Sequence, residues 1–174
     1  MNDLSHDALR PEVRAASGRR LLRDFPVVFM SYDEPCAEQN WMALRRVVPG
    51  AVRVHGVTGL DACHKAAADA VGGDWVVTVD ADTRLLPGAE RIVVPDDLLS
   101  DVYRLDWLSR NSVNGLWTGN GCLKLWPKRL LRDMRTHEAA AADAVSLDHG
   151  IGGVVPGKSG QITLPERASE TNPA

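Results

Sequence analysis

The sequence predicts an α/β protein: a mixed, mainly parallel sheet flanked by helices in a single compact domain. Three observations carry this. The first half alternates short apolar runs with segments of helical periodicity, the pattern of βαβ units joined by right-handed crossovers. The stretch after Pro95 is richer in strand formers and turn residues. The chain has 174 residues, enough for one domain with a real core and too few for two ordinary ones.

Residues 1–24 are polar and rich in arginine (Arg10, Arg14, Arg19, Arg20, Arg23) and are expected to form an arm ahead of the domain proper, which spans 25–149. The run "FPVVFMSY" (25–32) is compact and apolar, with the acidic turn Asp33-Glu34-Pro35 behind it, and predicts a first buried strand. In "CAEQNWMALRRVV" the positions Ala37, Trp41, Leu44 and Val48 recur at helical spacing, and Pro49-Gly50 closes the segment. "AVRVHGV" (51–57) alternates like a short strand. "GLDACHKAAADAVGG" follows as a second helix, with Ala62, Ala66 and Ala70 on its predicted buried face and Gly72-Gly73 as terminator. "DWVVTV" supplies a third strand.

Beyond Pro95, "DVYRLDWLS" and "CLKLW" predict strands on either side of the turn-rich "NSVNGLWTGNG", and Pro127 is placed to open a helix over "PKRLLRDM". From Gly150 to the end, amphipathic patterning is nearly absent, and 150–174 is expected to be a flexible tail.

Hydrophobic residues at 44%, charged residues at 25% and a net charge of -3 describe a globular protein and give no global sign of a nucleic-acid binder. Charge is uneven, however. Arg104, Arg110, Lys124, Lys128, Arg129, Arg132 and Arg135 face only Asp106 and Asp133 in the same stretch, which predicts either a local basic face or a solvated helix surface. Cys36, Cys63 and Cys122 are widely spaced with no CxxC pair, as expected of a reducing, cytoplasmic setting. No apolar run approaches the roughly 20 residues needed to span a bilayer, and no membrane insertion is expected.

The chemistry centres on "WVVTVDADTRLLPG". In extended backbone, residues two apart point the same way, so Asp80 and Asp82 can present both carboxylates to one side while Ala81 packs to the other. Ligands of parallel sheets bind at the carboxyl ends of strands, where this pair falls. Two hard anionic oxygens suit Mg²⁺ or Mn²⁺, which fill their remaining positions with water and phosphate oxygens. The competing structural role is an N-cap by Asp82 for the following segment.

An alternating half with an acidic first loop and a strand ending Asp-Ala-Asp resembles the nucleotide-sugar glycosyltransferases of the GT-A, Rossmann-like fold. The wording "SYDEPCAEQNW", "RVHGVTGLDACHKAA", "SRNSVNGLWTGNGCLKLWPK" and "MRTHE" resembles more narrowly bacteriophage-encoded glycosyltransferases, some of which act on hydroxymethylated pyrimidines in phage DNA; the likeness spans about residues 27–138. The resemblance implies a nucleoside diphosphate sugar donor, such as a UDP-sugar, and a hydroxyl acceptor. It implies that Asp80-Ala81-Asp82 hold metal and donor, and that Ser31, Tyr32, Asp33 and Glu34 face the base and ribose.

Within that frame, His64 and Lys65 are candidates to contact the diphosphate, though a solvent-facing lysine has an equal claim on Lys65. Glu138 is the candidate base for the acceptor hydroxyl, with His137 beside it to orient it or ligate metal; an ordinary exposed glutamate is the competing account. His149 is a candidate third metal ligand or else a residue of the tail. Trp117, Gly119, Asn120, Gly121 and Lys124 are candidates for the acceptor side, where glycines admit close approach and tryptophan stacks on a sugar or base. GT-A domains ordinarily continue well past the base, so the sequence reads as short at its C-terminus for that fold. Two other classes stay open: an inactive remnant that binds without transfer, and a phosphatase of the haloacid dehalogenase type. The latter fits poorly, because Thr83 follows Asp82 directly and Asp96-Asp97 comes too soon to complete a separate metal site.

Overall fold

A computed structural model describes residues 18–119, 122–136 and 160–171. Its strands are β1 (Arg19–Leu21), β2 (Val27–Ser31), β3 (Val52–His55), β4 (Trp75–Asp80), β5 (Thr83–Leu85), β6 (Val93–Pro95), β7 (Tyr103–Asn111), β8 (Trp117–Thr118), β9 (Leu123–Pro127) and β10 (Gly160–Thr171). The helices are α1 (Ala37–Val47), between β2 and β3; α2 (Leu60–Asp69), between β3 and β4; and α3 (Lys128–Asp133), after β9.

The alternating first half folds as its periodicity requires. β2 pairs in parallel with β3 on one side and β4 on the other, with α1 and α2 as crossovers. Every residue of β2 is buried, because both sheet faces are covered. Its odd positions, Val27 and Phe29, join Val77, Val79, Leu123, Leu125 and Trp107 beneath α1, where Trp41 meets Phe29 with ring centroids 5.6 Å apart. Its even positions, Val28 and Met30, join Val76 and Trp126 beneath α2 and α3. Trp126 is fully buried, and its indole N–H donates to the Thr78 hydroxyl (2.9 Å), satisfying the one polar atom it carries inside.

α2 is rotated from the expected face. His64, Ala67 and Ala68 are buried, whereas Ala62 and Ala70 are exposed. Alanine is too small to choose a face by itself, and the larger His64, edge-on to Trp126 at 6.1 Å, sets the rotation.

The sheet is mixed rather than mainly parallel. Its order is β3-β2-β4-β9-β7-β10-β5, with β8 on β7, and β9 runs antiparallel to both β4 and β7. β10 lies parallel to β7 and antiparallel to β5. Only Ala81 and Asp82 separate β4 from β5, although the two strands stand far apart in the pairing order, so the sheet has to curl.

The expectation of a flexible tail over 150–174 is corrected for Gly160–Thr171, which forms the longest strand of the sheet. Pro165 and Glu166 sit where the register jumps from Leu164 opposite Trp107 to Arg167 opposite Leu108. A proline is tolerated in an interior strand at such a bulge, where no ladder bond is asked of it. The expected N-terminal arm is also in part ordered, since β1 pairs with β6 from Arg19–Pro95 to Leu21–Val93. Among the described residues no helix is long and apolar enough to cross a membrane.

Candidate functional site

The carboxyl ends of β2, β3 and β4 open into a cleft of about 520 Å³. Its walls are the end of β2 (Met30 to Tyr32, with Glu34), the β3–α2 connection (Val57 to Leu60, with Cys63) and Asp80-Ala81-Asp82, with Cys122 behind them. Gly56 and Gly59 bracket the connection at φ +76° and +90°, a region where residues with a Cβ are strained, so the turn into α2 depends on both.

Ala81 is tied down from behind. Its carbonyl accepts a hydrogen bond from the Asn40 amide of α1 (2.9 Å), and the Asp80 amide donates to the Cys122 carbonyl (3.1 Å). Both acids therefore have a fixed backbone at the strand tip. Asp82 caps no helix, since strand β5 begins at the next residue; its carboxylate instead accepts from the Thr83 hydroxyl (3.3 Å). Burial raises the Asp82 carboxyl above its ordinary value and the charge of Asp80 raises it further, against the lowering bonds from Thr83 and Cys122. A carboxylate desolvated beside another carboxylate is an arrangement a cation relieves.

Burial likewise pushes the Cys63 thiol up to about 11 and the Cys122 thiol up to about 12, with Asp80 adding to both. With no cation bound, both stay protonated at neutral pH and line the cleft as neutral thiols. Among the described residues, no group of three or more His, Cys, Asp or Glu side chains is arranged to hold a metal ion. The two acids fit a cation only as a pair that leaves its other positions to water and phosphate oxygens, a common mode for Mg²⁺.

Of the residues expected around the donor, Ser31, Tyr32, Glu34, Asp80, Ala81 and Asp82 line this cleft. Tyr32 is 48% exposed, leaving an aromatic face available to a base, and its amide donates to the Glu34 carboxylate (2.8 Å). Asp33 is exposed and is not among the lining residues. Ser31 belongs to a polar cluster in which its hydroxyl contacts His55 Nδ1 (3.0 Å) and accepts from Arg53 Nε (2.9 Å).

His64 and Lys65 point elsewhere. His64 is buried against Trp126, and its Nδ1 donates to the Leu60 carbonyl (2.8 Å). Lys65 forms an ion pair with Asp61 one turn back and reaches the Met134 carbonyl (3.4 Å), stapling α2 to the segment after α3. Asp61 also accepts from the Thr136 amide (3.2 Å), and these two partners, Lys65 first, hold its carboxyl below its ordinary value.

The described acceptor-side candidates, Trp117, Gly119 and Lys124, have neighbours of their own in the fold. Gly119 is small because a strand of its own chain lies against it: a Cβ there would meet Thr163 of β10 at 2.5 Å, and the Thr163 hydroxyl donates to the Gly119 carbonyl. Trp117 is half-buried under the Arg167 guanidinium, 4.7 Å from its ring centre. Lys124 is buried, with Nζ 3.7 Å from Asp80 Oδ2. Asn120, Gly121, His137, Glu138 and His149 lie outside the described residues.

Most of the basic stretch is interior or ion-paired, while Arg110 and Arg135 are exposed. Arg104, Lys124 and Lys128 are interior, Arg129 pairs with Asp133, and Arg132 with Asp69. Arg104 forks onto Asp106 (2.9 and 3.2 Å), both wholly buried, and stacks on Trp126 at 4.7 Å. Reading along the sequence misses this, because β-strand parity places Arg104 and Asp106 inward while Leu105 and Trp107 serve the other core.

No family model matches this sequence, and no curated protein matches it significantly. Among solved structures, the crystal structure of a glycosyltransferase involved in the glycosylation of the major capsid of PBCV-1 superposes with a TM-score of 0.38 at 15% identity, covering 61% of this chain and 62% of that one. The chain thus spans less than two thirds of that neighbour's length, and a likeness at this level carries no argument about activity.

Proposed function

We propose that the protein is a metal-dependent glycosyltransferase that moves a sugar from a nucleoside diphosphate sugar to a hydroxyl acceptor, with the cleft at the tips of β2, β3 and β4 as its donor site. One observation carries the reading: Asp80 and Asp82 are fixed at the carboxyl end of a buried strand in the same cleft as the exposed ring of Tyr32, and neither is used as a helix cap.

A divalent cation bound there would neutralise charge growing on the leaving diphosphate, as a Lewis acid. The chain's own part is to place the two carboxylates, to offer Tyr32 and Glu34 to the nucleoside, and to wall the cleft with the β3–α2 turn. Glu138 is the base in this proposal, taking the acceptor hydroxyl proton. Thr136, two positions earlier, is anchored to the first turn of α2 by its amide on Asp61, and Glu138 itself lies outside the described residues. The acceptor is a hydroxyl; a hydroxymethylated pyrimidine in DNA rests on the sequence resemblance alone, since most of the basic side chains that would favour DNA are interior or ion-paired.

The test is incubation with Mn²⁺ and a panel of UDP- and GDP-sugars, with and without hydroxymethylated DNA. Metal-dependent release of nucleoside diphosphate is the expected result. Silence with every donor, in protein shown to be folded, favours a module that binds without transfer, and release of inorganic phosphate favours a phosphatase.

A further inference from the structure

Lys124 stands between two acids. It lies on β9, opposite Thr78 of β4 and Asp106 of β7, and its side chain is 8% exposed. A lysine so far from water needs a negative partner. Deeper in, Asp106 is already matched by the forked bond from Arg104, which also contacts the Trp126 ring and the Gln161 side chain (2.6 Å). Among the described residues, the carboxylate oxygen that Lys124 pairs with is that of Asp80, at 3.7 Å. Glu34, another acid lining the cleft, is turned to the Tyr32 amide.

We infer that Lys124 is the built-in counter-ion of the Asp80–Asp82 pair, so that a divalent cation enters the cleft together with a nucleoside diphosphate rather than ahead of it. The inference rests on the donor-site reading. With Asp80 offset by Lys124, a hydrated cation arriving alone meets in effect one carboxylate, which holds Mg²⁺ or Mn²⁺ poorly in water. Diphosphate oxygens change this twice, by supplying further ligands and by bringing negative charge that Lys124 attracts. Lys124 is thus a positioning residue that weakens the site for bare metal and strengthens it for the metal–diphosphate complex.

These opposite signs give the test. Free Mn²⁺ is followed by electron paramagnetic resonance in the whole protein, alone and with UDP or GDP, for wild type, Lys124→Met and Lys124→Arg. Lys124→Met, close in volume and uncharged, should bind Mn²⁺ alone about tenfold more tightly and the Mn²⁺–nucleotide pair about tenfold more weakly, within the range of ordinary site coupling. Lys124→Arg should restore the wild-type order, and thermal melting confirms that each variant is folded. A merely structural lysine would lower both affinities together or leave both alone, and either result overturns the inference. Tight Mn²⁺ binding by wild type without nucleotide refutes the inference while leaving the donor-site reading intact. No Mn²⁺ uptake in any condition removes the donor site itself, and the inference with it.

Discussion

The two halves of the sheet reach the same layered core by different routes. β2, β3 and β4 are joined by α1 and α2 in successive βαβ crossovers, each strand laid beside β2 by one helix. β9 returns directly to β7, with Leu105 opposite Leu125, but β10 joins from far along the chain: Arg104 and Gln161, hydrogen-bonded at 2.6 Å, are 57 positions apart. The first half is specified by local periodicity, while β10 depends on contacts made only once the chain is nearly folded. The candidate site sits on the first half, and the second backs it through Lys124 and Cys122.

The largest expected effect is therefore on the second half. A chain ending at residue 159 loses β10, with its pairing to both β7 and β5 and the buried Ala168 and Ser169. It should fail to give a cooperative thermal transition. A sharp melt with native-like circular dichroism would show that the first half folds independently and that β10 is dispensable.

Next is the seam at Gly119, where a Cβ would meet Thr163 at 2.5 Å. Gly119→Ala should cost about 1–3 kcal/mol, as overpacking does, read as a lower midpoint in urea. Pairing it with Thr163→Gly should recover most of the loss. No destabilisation by Gly119→Ala would mean that the segment does not pack there.

The smallest effect has the opposite sign and belongs to the first half. Asp82 has a carboxyl raised above its ordinary value by burial and by Asp80, so the folded protein holds its proton more tightly than the unfolded chain does. That favourable contribution is complete below the unfolded value of 3.8 and is lost as pH rises through the folded value. At pH 7 the ionised Asp82 therefore weakens the fold. Asp82→Asn should raise the melting temperature at pH 7, with the gain vanishing below pH 3.8. A lower melting temperature at pH 7 would contradict the assignment of Asp82 as a desolvated, functionally retained charge.

What the sequence made legible follows the same division. The apolar run into Asp80, the helical spacing of Ala37, Trp41 and Leu44, and the proline opening α3 are local signals, and the structure keeps all of them. β10 was hidden because Pro165 and the neighbouring glycines look like breakers, and only the register with β7 shows that the proline falls in a bulge. Lys65 was open to a better reading, since Asp61 precedes it by four residues in a helix, the spacing of an ion pair. His64, Gly119 and Lys124 were not: a buried imidazole, a glycine pressed by its own chain and a lysine serving an acid on the next strand have the same residue types as a phosphate ligand, a sugar platform and an acceptor contact. Three-dimensional neighbours alone separate these roles.

The central claim is that Asp80 and Asp82 hold a cation that grips a diphosphate, and calorimetric titration of UDP and GDP into the protein, with Mn²⁺ and with EDTA, tests it most directly. Binding should appear with at least one nucleotide when Mn²⁺ is present, disappear in EDTA, and weaken by roughly a hundredfold in Asp82→Asn, the equivalent of losing about 3 kcal/mol of charge-assisted contact. Equal binding in EDTA, or unchanged affinity in folded Asp82→Asn, would contradict it.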